Sequence, residues 1–354
     1  MTVLVLTTTF DGRDGLSCLS RDVTTALARA FPDSAVSVLT LAGERSIPHP
    51  TATVRGCGGS RVGLAARAMA AIAARPRALV VLHAHLLPLA SPAIALGTPL
   101  VPVLVGIEAW RPPGAWRRYA LARARALIAI SAHTRDRFRA AAPSLATRPV
   151  LVCHPSTPSL PEPVADSGLP AAGYALMVGR MAAAERYKGH DVVLDAWPRV
   201  TAVVPDARLV IVGGGDDVHR LRRRVEVEGL QGQVTFTGPV DDPTLAALYA
   251  RAGVFVLPST DEGFGYVFLE AMSAGRACIA AEGAAEEIIE HGVSGFIVRS
   301  RDAAGVAEPL IRLLRDPALA EAMGRAGRAR ARTDFTIDCL SGCLRQALAS
   351  VLPC

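Results

Sequence analysis

Residues 254–280 are VFVLPSTDEGFGYVFLEAMSAGRACIA, and the fold class follows from this stretch. The apolar runs Val254–Leu257 and Ala277–Ala280 each predict a strand that is buried on both faces. Between the two runs, a glycine-containing loop leads into a segment with helical spacing. Two buried strands joined by a crossover helix form a parallel βαβ unit, so the stretch predicts an α/β fold.

The same alternation extends along the rest of the chain. Further apolar runs that predict buried strands are Val3–Thr9, Ala35–Leu41, Ala78–His83, Leu100–Val105, Ala126–Ile130, Val150–Cys153, Tyr174–Val178, Leu209–Val212 and Val234–Thr237. Segments with helical spacing include Leu19–Ala30, Val62–Arg75, Trp116–Arg125 and a helical tail from Ala303–Leu314 to Ile337–Leu352. The pattern predicts two Rossmann-like, doubly wound parallel sheets.

A proline-rich segment separates the two predicted sheets. Residues 154–163 contain four prolines, which neither a helix nor a central strand accommodates. We therefore predict a first domain over residues 1–155, a linker over 156–170 and a second domain over 171–335. The last helix, 336–354, is predicted to cross back to the first domain. Because ligands bind at the carboxyl ends of such strands, we expect a site in a cleft between two facing sheets.

The composition excludes several classes of protein. No apolar run reaches the roughly 18 residues of a membrane span, and the first residues predict a strand, so we expect a cytoplasmic protein. Seven scattered cysteines without a Cys-x-x-Cys pair predict free thiols. Aromatic residues make up only 5% of the chain, which argues against nucleic-acid binding. The net charge is +10 for residues 1–165 and −4 for the remainder. The basic first half could therefore bind an acidic acceptor or a membrane surface.

Lys188 is the single lysine in a chain that has 37 arginines and no asparagine. This bias indicates a GC-rich genome, in which lysine becomes arginine wherever a positive charge is sufficient. Lys188 therefore marks a place where a compact ammonium is needed, or it is a surface lysine that survived by chance. It lies beside Gly189 and close to Arg180 in the sequence, and two cations beside glycines predict a site for a phosphorylated ligand.

Two acids and two glycines lie in the loop and helix that follow Val254–Leu257. Glu262 is in the loop, and Glu270 follows eight positions later, on the second turn of the predicted helix. Gly263 and Gly265 bring backbone N–H groups to the helix N-terminus, which favours an anion. These groups can bind a sugar, a diphosphate and a ribose, although an ordinary βα turn can have the same residues.

The stretch around Glu262 and Glu270 resembles the Glu-x7-Glu motif of the family 4 retaining glycosyltransferases, which have the GT-B fold. Other segments that resemble this family in order and spacing are Val178–Arg180 with Arg186–Asp191, Val212–Asp216, Phe236–Val240 and Glu287–Gly295, and more weakly Gly106–Trp110 and Ile130–Thr134. The resemblance is strong over residues 174–300 and weaker in the first half.

The resemblance implies roles for individual residues. Arg180 and Lys188 would clamp the donor diphosphate, Glu262 would hold the transferred sugar, and Glu270 would accept the ribose hydroxyls. Other residues implied in donor binding are Gly12, Gly15, Gly179, Gly213, Val240, Gly263, Phe264, Gly265 and Tyr266. Glu108 and Trp110 would lie on the acceptor side. No metal and no cofactor are expected, since no acidic cluster is placed for a metal.

The sequence departs from the family in three places. Val105 occupies the position where many members have a histidine, so we expect His85, or else His83, to supply a nearby imidazole. A packed, hydrogen-bonded histidine is the alternative. His154-Pro155 replaces the usual Asn-Gly after the linker strand, and the spacing of eight between Arg180 and Lys188 exceeds the commoner five or six.

The expected activity is transfer of a sugar, with retained anomeric configuration, from a UDP- or GDP-linked donor. The acceptor would be a small molecule, a lipid-linked glycan or a glycolipid. An aromatic and basic segment around Trp116–Tyr119 predicts either peripheral contact with the inner face of a membrane or a solvated helix. A catalytically degenerate partner subunit and a nucleotide-sugar 2-epimerase are the alternatives. The sequence leaves the sugar, the base, the acceptor and the oligomeric state open.

Overall fold

The computed structural model describes residues 2–164, 170–349 and 351–352. These residues form two compact units. The first consists of Met1–Ser156 together with Phe335–Cys354, and the second consists of Thr157–Asp334. Each unit is built on one parallel sheet, which confirms the predicted α/β class.

The first unit has a seven-stranded sheet in the order β3-β2-β1-β4-β5-β6-β7. Its strands are β1 (Thr2–Thr7), β2 (Ala35–Thr40), β3 (Ala52–Gly56), β4 (Ala78–Val81), β5 (Leu100–Leu104), β6 (Leu127–Ala129) and β7 (Val150–Val152). Its helices up to residue 156 are α1 (Gly15–Ala30), α2 (Arg61–Ala73), α3 (Ser91–Ala95), α4 (Ala115–Arg123) and α5 (Ala132–Ala141). The central strands β1, β4 and β5 are buried along almost their whole length because helices cover both faces.

The second unit has a six-stranded sheet in the order β10-β9-β8-β11-β12-β13. Its strands are β8 (Ala175–Val178), β9 (Leu209–Val212), β10 (Val234–Gly238), β11 (Val254–Leu257), β12 (Ala277–Ala281) and β13 (Gly295–Val298). Its helices are α6 (His190–Val203), α7 (Val218–Val227), α8 (Asp242–Arg251), α9 (Tyr266–Ser273), α10 (Ala303–Arg315) and α11 (Pro317–Asp334). Strands β8, β9, β11 and β12 are buried at every residue.

The last helix, α12 (Ile337–Leu348), belongs to the first unit, where it packs against α1. Thr336 caps its N-terminus by accepting a hydrogen bond from the backbone of Cys339. Leu340, Leu344 and Leu348 form its buried face. Their spacing of four residues places them on one side of the helix.

Of the four edge strands, β7 and β10 were predicted, whereas β3 and β13 were not. β3 alternates between buried and exposed positions, and only the first residue of β13 is fully buried. β3 mixes polar with apolar residues, and β13 has only the short apolar run Phe296–Val298, so neither stands out as the longer runs of the central strands do. His83 is also corrected: it does not end β4 but caps a 3-10 helix over Ala84–Ala90.

The prediction that the cysteines are free thiols is wrong for two of them. Cys153, directly after β7, forms a disulfide with Cys343 of α12. The two residues are separated by 190 positions in the sequence, so their spacing gave no indication of the bond.

Among the residues that the structure describes, no helix combines the length and the apolar character needed to cross a bilayer.

Candidate active site

The predicted donor residues follow the carboxyl ends of four neighbouring strands in the second unit. Gly179 and Arg180 follow β8, Gly213 follows β9, Val240 follows β10, and the loop with Glu262 follows β11. These strands are adjacent in the order β10-β9-β8-β11. The carboxyl ends of parallel strands meet at one edge of a sheet, so the predicted residues share one edge.

At this edge, the ammonium of Lys188 contacts the carboxylate of Glu262. The Lys188 Nζ to Glu262 Oε1 distance is 2.8 Å, and the Ser259 hydroxyl donates to the same oxygen at 3.0 Å. The side chains of Lys188 and Glu262 are 17% and 21% exposed, so the pair is partly withdrawn from water yet still accessible. A charge-assisted hydrogen bond in such a setting is stronger than one between fully exposed groups.

A close backbone approach brings the two loops together. Gly189 has φ +83°, and a Cβ at this position would lie 2.7 Å from the Pro258 carbonyl oxygen. The backbone N–H of Thr260 donates to the carbonyl oxygen of Tyr187 at 3.0 Å. Glycine is therefore required after Lys188 both for its conformation and for the space it leaves.

An ion-pair network fixes the Lys188 segment from the other side. Arg186 pairs with Asp217 at 3.0 Å, and Arg220 pairs with both Asp217 and Asp191. The hydrogen bonds from Arg220, followed by those from Arg186, lower the pKa of Asp217 to about 2. The residues on either side of Lys188 are thus tied to the start of α7 and to the first turn of α6.

His190 lies beneath this segment as a neutral imidazole. Its side chain is buried, and burial, assisted by the charge of Lys188, lowers its pKa to about 4. Among the described residues, its Nε2 atom has no hydrogen-bond partner. A Cβ at Gly179 would lie 3.5 Å from Lys188 Cδ and 3.8 Å from the His190 ring, so these three residues pack closely.

Arg180 is paired with Glu185. Its guanidinium forms two hydrogen bonds with Glu185, of which the Nε to Oε2 bond is 2.9 Å, and its side chain is 66% exposed. The Tyr187 hydroxyl lies close to both ion pairs. Burial and the negative charges of Glu262 and Glu185 raise its pKa, while the charge of Arg180 lowers it. The predicted clamp cations therefore lie in one neighbourhood, each with its own acid.

Glu270 is on the second turn of α9, as the sequence predicted. The Tyr249 hydroxyl donates to its Oε2 at 2.8 Å. Burial raises the pKa of Glu270 to about 7, against the lowering effect of that hydrogen bond. The residue as a whole is half-buried.

The loop between Glu262 and α9 is shaped by Gly265. This residue has φ +114° and lies directly before the helix, where a Cβ would be 2.6 Å from the Phe268 ring. Phe264 and Tyr266 are both buried, with ring centroids 6.1 Å apart. Their side chains build the core under the loop, so any contact with a ligand falls to their backbone and to Gly263.

Gly213 and Val240 frame the neighbouring strand ends. Gly213 has φ +132°, and a Cβ there would lie 2.1 Å from the Gly179 carbonyl oxygen. The close approach of β8 and β9 therefore explains why residue 213 is a glycine. Val240 is half-buried in the connection between β10 and α8.

In the first unit, Gly12 and Gly15 lie in the turn from β1 to α1. Asp14 caps α1 by accepting hydrogen bonds from Leu16 and Ser17. A Cβ at Gly12 would come within 2.7 Å of the Asp14 carboxylate and of the Ser17 hydroxyl. Gly12 is thus needed for this cap, and Gly15 is the first residue of the helix.

His83 and His85 follow β4, the neighbour of β1. Their rings are 4.7 Å apart, and His85 is exposed while His83 is half-buried. Burial lowers the pKa of His83, and the carboxylate of Glu108 opposes that shift. These residues therefore cluster at the same edge of the first sheet.

The two predicted acceptor-side residues have clear local contacts. Glu108 accepts hydrogen bonds from the backbone N–H groups of Val105 and Gly106, each at 3.2 Å. Trp110 is buried, with its ring 5.4 Å from that of His133 and 4.8 Å from the guanidinium of Arg137. Glu108 orders the turn after β5, and Trp110 packs into the core of the unit.

Sequence reasoning missed the partners of the predicted residues. Each of four predicted residues has a partner that belongs to the site through its contact. Ser259 contacts Glu262, and Glu185 pairs with Arg180. Tyr249 contacts Glu270, and His190 lies close to Lys188. Only His190, directly after the Lys-Gly pair, carried a sequence signal. Within residues 2–164, 170–349 and 351–352, no three His, Cys, Asp or Glu side chains are grouped so as to hold a metal ion.

Comparison with known proteins connects this site to a family. Residues 172–316 match the family model described as glycosyl transferases group 1. A GDP-mannose-dependent alpha-(1-6)-phosphatidylinositol monomannoside mannosyltransferase of Mycobacterium tuberculosis is 38% identical over 169 residues, which are 46% of this chain and 44% of the relative. A D-inositol 3-phosphate glycosyltransferase of Mycolicibacterium paratuberculosis is 36% identical over 181 residues, which are 48% of this chain and 40% of the relative. The chain thus covers less than half the length of these relatives.

The likeness to solved structures extends over the whole chain. The HepE protein of Anabaena, in complex with UDP and glucose, has a TM-score of 0.76 and 20% identity over 98% of this chain and 99% of its own. Sucrose-phosphate synthase of Thermosynechococcus elongatus has a TM-score of 0.75 and 20% identity over 99% and 98% of the two chains. With the two parallel-sheet units and the helical C-terminus, this likeness confirms the predicted GT-B fold.

Proposed function

We propose that this chain is a glycosyltransferase that moves a sugar from a nucleoside diphosphate sugar to an acceptor, with retention of anomeric configuration. One observation carries the proposal. Lys188 and Glu262 form a partly buried ion pair at the carboxyl ends of β8 and β11, within the segment that matches the group 1 family model. The second unit binds the donor in this account, and the first unit binds the acceptor.

The cations act on the leaving diphosphate. As the sugar–oxygen bond breaks, negative charge grows on the phosphate, and a fixed positive group there lowers the barrier. Lys188 and Arg180 supply this charge, and the N-terminus of α9 adds its dipole. Each such donor contributes on the order of 3 kcal/mol, so that the reaction needs no metal and no cofactor.

The carboxylates hold the two sugars of the donor. Lys188 and Ser259 fix one oxygen of Glu262, which leaves the other oxygen to accept hydroxyls of the transferred sugar. Tyr249 orients Glu270 in the same way toward the ribose. Both acids accept hydrogen bonds from donor hydroxyls, and Glu270, with its pKa raised to about 7, keeps acceptor capacity in its protonated form as well.

Retention follows from attack on the face from which the nucleotide leaves. In this account the acceptor hydroxyl bonds to the anomeric carbon as the sugar–phosphate bond breaks, and the departing phosphate oxygen takes the hydroxyl proton. No protein nucleophile takes part. A covalent glycosyl-enzyme adduct trapped at any side chain would refute this step.

Guanosine is the favoured base, and a glycolipid is the favoured acceptor. The support is the mycobacterial relative, whose name specifies GDP-mannose as donor and a phosphatidylinositol mannoside as acceptor. UDP-sugars remain the second class to test. The acceptor would meet His85 and Glu108 at the edge of the first sheet, while Trp110, buried in the core, would support this surface from within.

We place the protein at the inner face of the membrane as a peripheral protein. On α4, Trp116 and Tyr119 are 68% and 42% exposed, and Arg117 and Arg118 lie between them. An aromatic and basic surface of this kind suits the interface of an anionic bilayer.

A nucleotide-release assay tests the proposal. The protein is incubated with GDP-mannose, UDP-glucose, UDP-galactose or a dTDP-sugar, each with and without a phosphatidylinositol mannoside fraction, and free nucleoside diphosphate is measured. We expect acceptor-dependent release with one donor, undiminished by a chelator. Binding without release from any donor would instead indicate a degenerate subunit, and a changed sugar on intact nucleotide would indicate an epimerase.

A further inference from the structure

The disulfide between Cys153 and Cys343 encloses the whole second unit in one covalent loop. Its two cysteines are separated by 190 residues, and the segment between them contains Thr157–Asp334. The Cα atoms are 5.7 Å apart, a separation that a disulfide spans without backbone movement. Cys153 is buried and Cys343 is half-buried, so we expect a reagent to attack at Cys343.

The bond lies where the chain leaves the first unit and where it returns. The first stretch of that unit ends at Ser156, three residues after Cys153, and the second stretch begins at Phe335. Phe335 is buried, and its ring lies 5.7 Å from that of His154. The backbone N–H of Ser156 donates to Asp22 of α1 at 3.2 Å. The outgoing and returning segments are therefore anchored side by side in the first unit.

Apart from the disulfide, α12 is held by its packing against α1 and by weak polar contacts. Three leucines form its buried face, and the ion pair between Arg29 and Asp338 joins side chains that are 51% and 81% exposed. Exposed ion pairs contribute little. The Arg345 guanidinium also donates to the Ala30 carbonyl oxygen at 3.3 Å. Apolar packing against α1 therefore supplies most of its non-covalent attachment.

We propose that Cys153 and Cys343 form a reversible redox site that controls how firmly α12 is attached to the first unit. A thiolate of a dithiol reductant attacks the sulfur of Cys343, and Cys153 leaves as a thiolate and takes up a proton. The second thiol of the reductant then attacks the mixed disulfide and releases Cys343, while the reductant becomes a disulfide. Oxidised glutathione restores the bond by the reverse exchange.

Reduction removes the covalent link between the two crossing segments. In the oxidised protein the disulfide keeps α12 covalently joined to the segment with His154. Phe335 therefore stays close to His154 even when the packing of α12 opens. In the reduced protein, opening of α12 also frees Phe335 and exposes the outgoing segment at His154. The redox state therefore sets the stability of the anchor to which the second unit is tethered, independently of the reaction that the protein catalyses.

The test uses the full chain equilibrated in oxidised or in reduced glutathione. After alkylation, mass spectrometry should find a Cys153–Cys343-linked peptide and two fewer alkylated thiols in the oxidised sample. Hydrogen exchange should then show α12 amides exchanging roughly tenfold faster, or more, after reduction.

Two serine variants serve as a matched pair. Cys343→Ser should show fast exchange of α12 in both buffers, whereas Cys339→Ser, an exposed position on the same helix, should respond to redox state as the wild type does. The comparison of oxidised with reduced wild type needs no mutation, so it stands even where Cys343→Ser folds poorly. Absence of the linked peptide, or its presence with unchanged exchange of α12, would overturn the proposal.

Discussion

Lys188 shows why one ammonium persists in a chain that otherwise uses arginine. Its side chain passes Gly179, where a Cβ would be only 3.5 Å from Lys188 Cδ, and ends 2.8 Å from Glu262. A planar guanidinium is larger and prefers to bind a carboxylate through two parallel bonds. Arginine at this position would saturate Glu262, whereas lysine leaves one of its oxygens for a ligand.

Arg180 is held in the structure by Glu185, and that pair must rearrange if Arg180 is to bind a phosphate. We expect Glu185→Gln to tighten the binding of GDP or UDP by about two- to fivefold, since an exposed ion pair is worth up to about 1 kcal/mol. Titration calorimetry measures this change. Glu321→Gln, which removes an exposed partner of Arg325, should leave the affinity unchanged. Weaker binding in Glu185→Gln would mean that Glu185 positions Arg180 for the ligand.

Glu270 gives the protein a predictable dependence on pH. Its pKa is raised from 4.5 to about 7 in the folded state, so the folded protein retains a proton that the unfolded chain releases between these values. The contribution of Glu270 to stability is therefore complete below pH 4.5 and is lost as the pH rises through 7. A shift of this size corresponds to on the order of 3 kcal/mol.

Glu270→Gln should remove this contribution to the pH dependence. Relative to wild type, the variant should gain stability as the pH rises from about 5.5 to 8.5, because its amide never ionises. Melting temperatures measured across that range test the expectation, with Glu321→Gln as an exposed control. Parallel pH profiles for wild type and Glu270→Gln would contradict the raised pKa.

At the scale of elements, the contact between two loops creates the site. The turn before α6 carries Lys188, and the turn before α9 carries Glu262. Gly189 and Pro258 meet where these turns touch. Neither turn forms the ion pair alone, so the site depends on the parallel pairing of β8 with β11.

Gly189→Ala tests this contact. The variant places a Cβ at positive φ and 2.7 Å from the Pro258 carbonyl oxygen, so both its conformation and its packing are strained. Gly229→Ala is the matched control, since Gly229 has φ +69° and no atom within 4 Å of its Cβ position. We expect a loss of about 1–2 kcal/mol for the control and a clearly larger loss for Gly189→Ala. Equal melting temperatures for the two variants would refute the close approach.

The sequence predicted the central strands and two of the four edge strands. β1, β8 and β11 have continuous apolar runs because helices cover both of their faces, whereas β3 alternates between buried and exposed residues and β13 has only a short apolar run. Likewise, Lys188 and Glu262 could be located as loop residues after strands. Their partners Ser259, Glu185 and Tyr249 could not, since common polar residues acquire their roles only from contacts between distant segments.

At the scale of the whole molecule, the disulfide acts mainly on the unfolded chain. Closing a loop of 190 residues restricts the unfolded ensemble by about 5 kcal/mol in the chain-entropy model. We expect a dithiol reductant to lower the melting temperature of the wild type and of Cys339→Ser. Cys343→Ser should melt at the lower temperature with or without reductant. A wild-type melting temperature that is the same with and without the reductant would contradict this expectation.

The two units also differ in how closely their sequences resemble those of known proteins. The family model matches only residues 172–316, in the second unit, while the fold likeness covers 98% of the chain. The first half has a net charge of +10 and a surface with exposed Trp116 and Tyr119. In the proposed function this is the half that meets the acceptor, and acceptors vary more than nucleotides do.

Lys188 is proposed to stabilise the leaving diphosphate, and the rate of sugar transfer by Lys188→Arg measures that role. With the donor and acceptor found in the release assay, we expect kcat/KM to fall roughly 10- to 100-fold, the effect of losing one charge-assisted hydrogen bond. Arg325→Lys, an exposed change between the same two residue types, should keep the wild-type rate, and both variants should melt near the wild-type temperature. A Lys188→Arg protein that transfers sugar at the full wild-type rate would contradict the account.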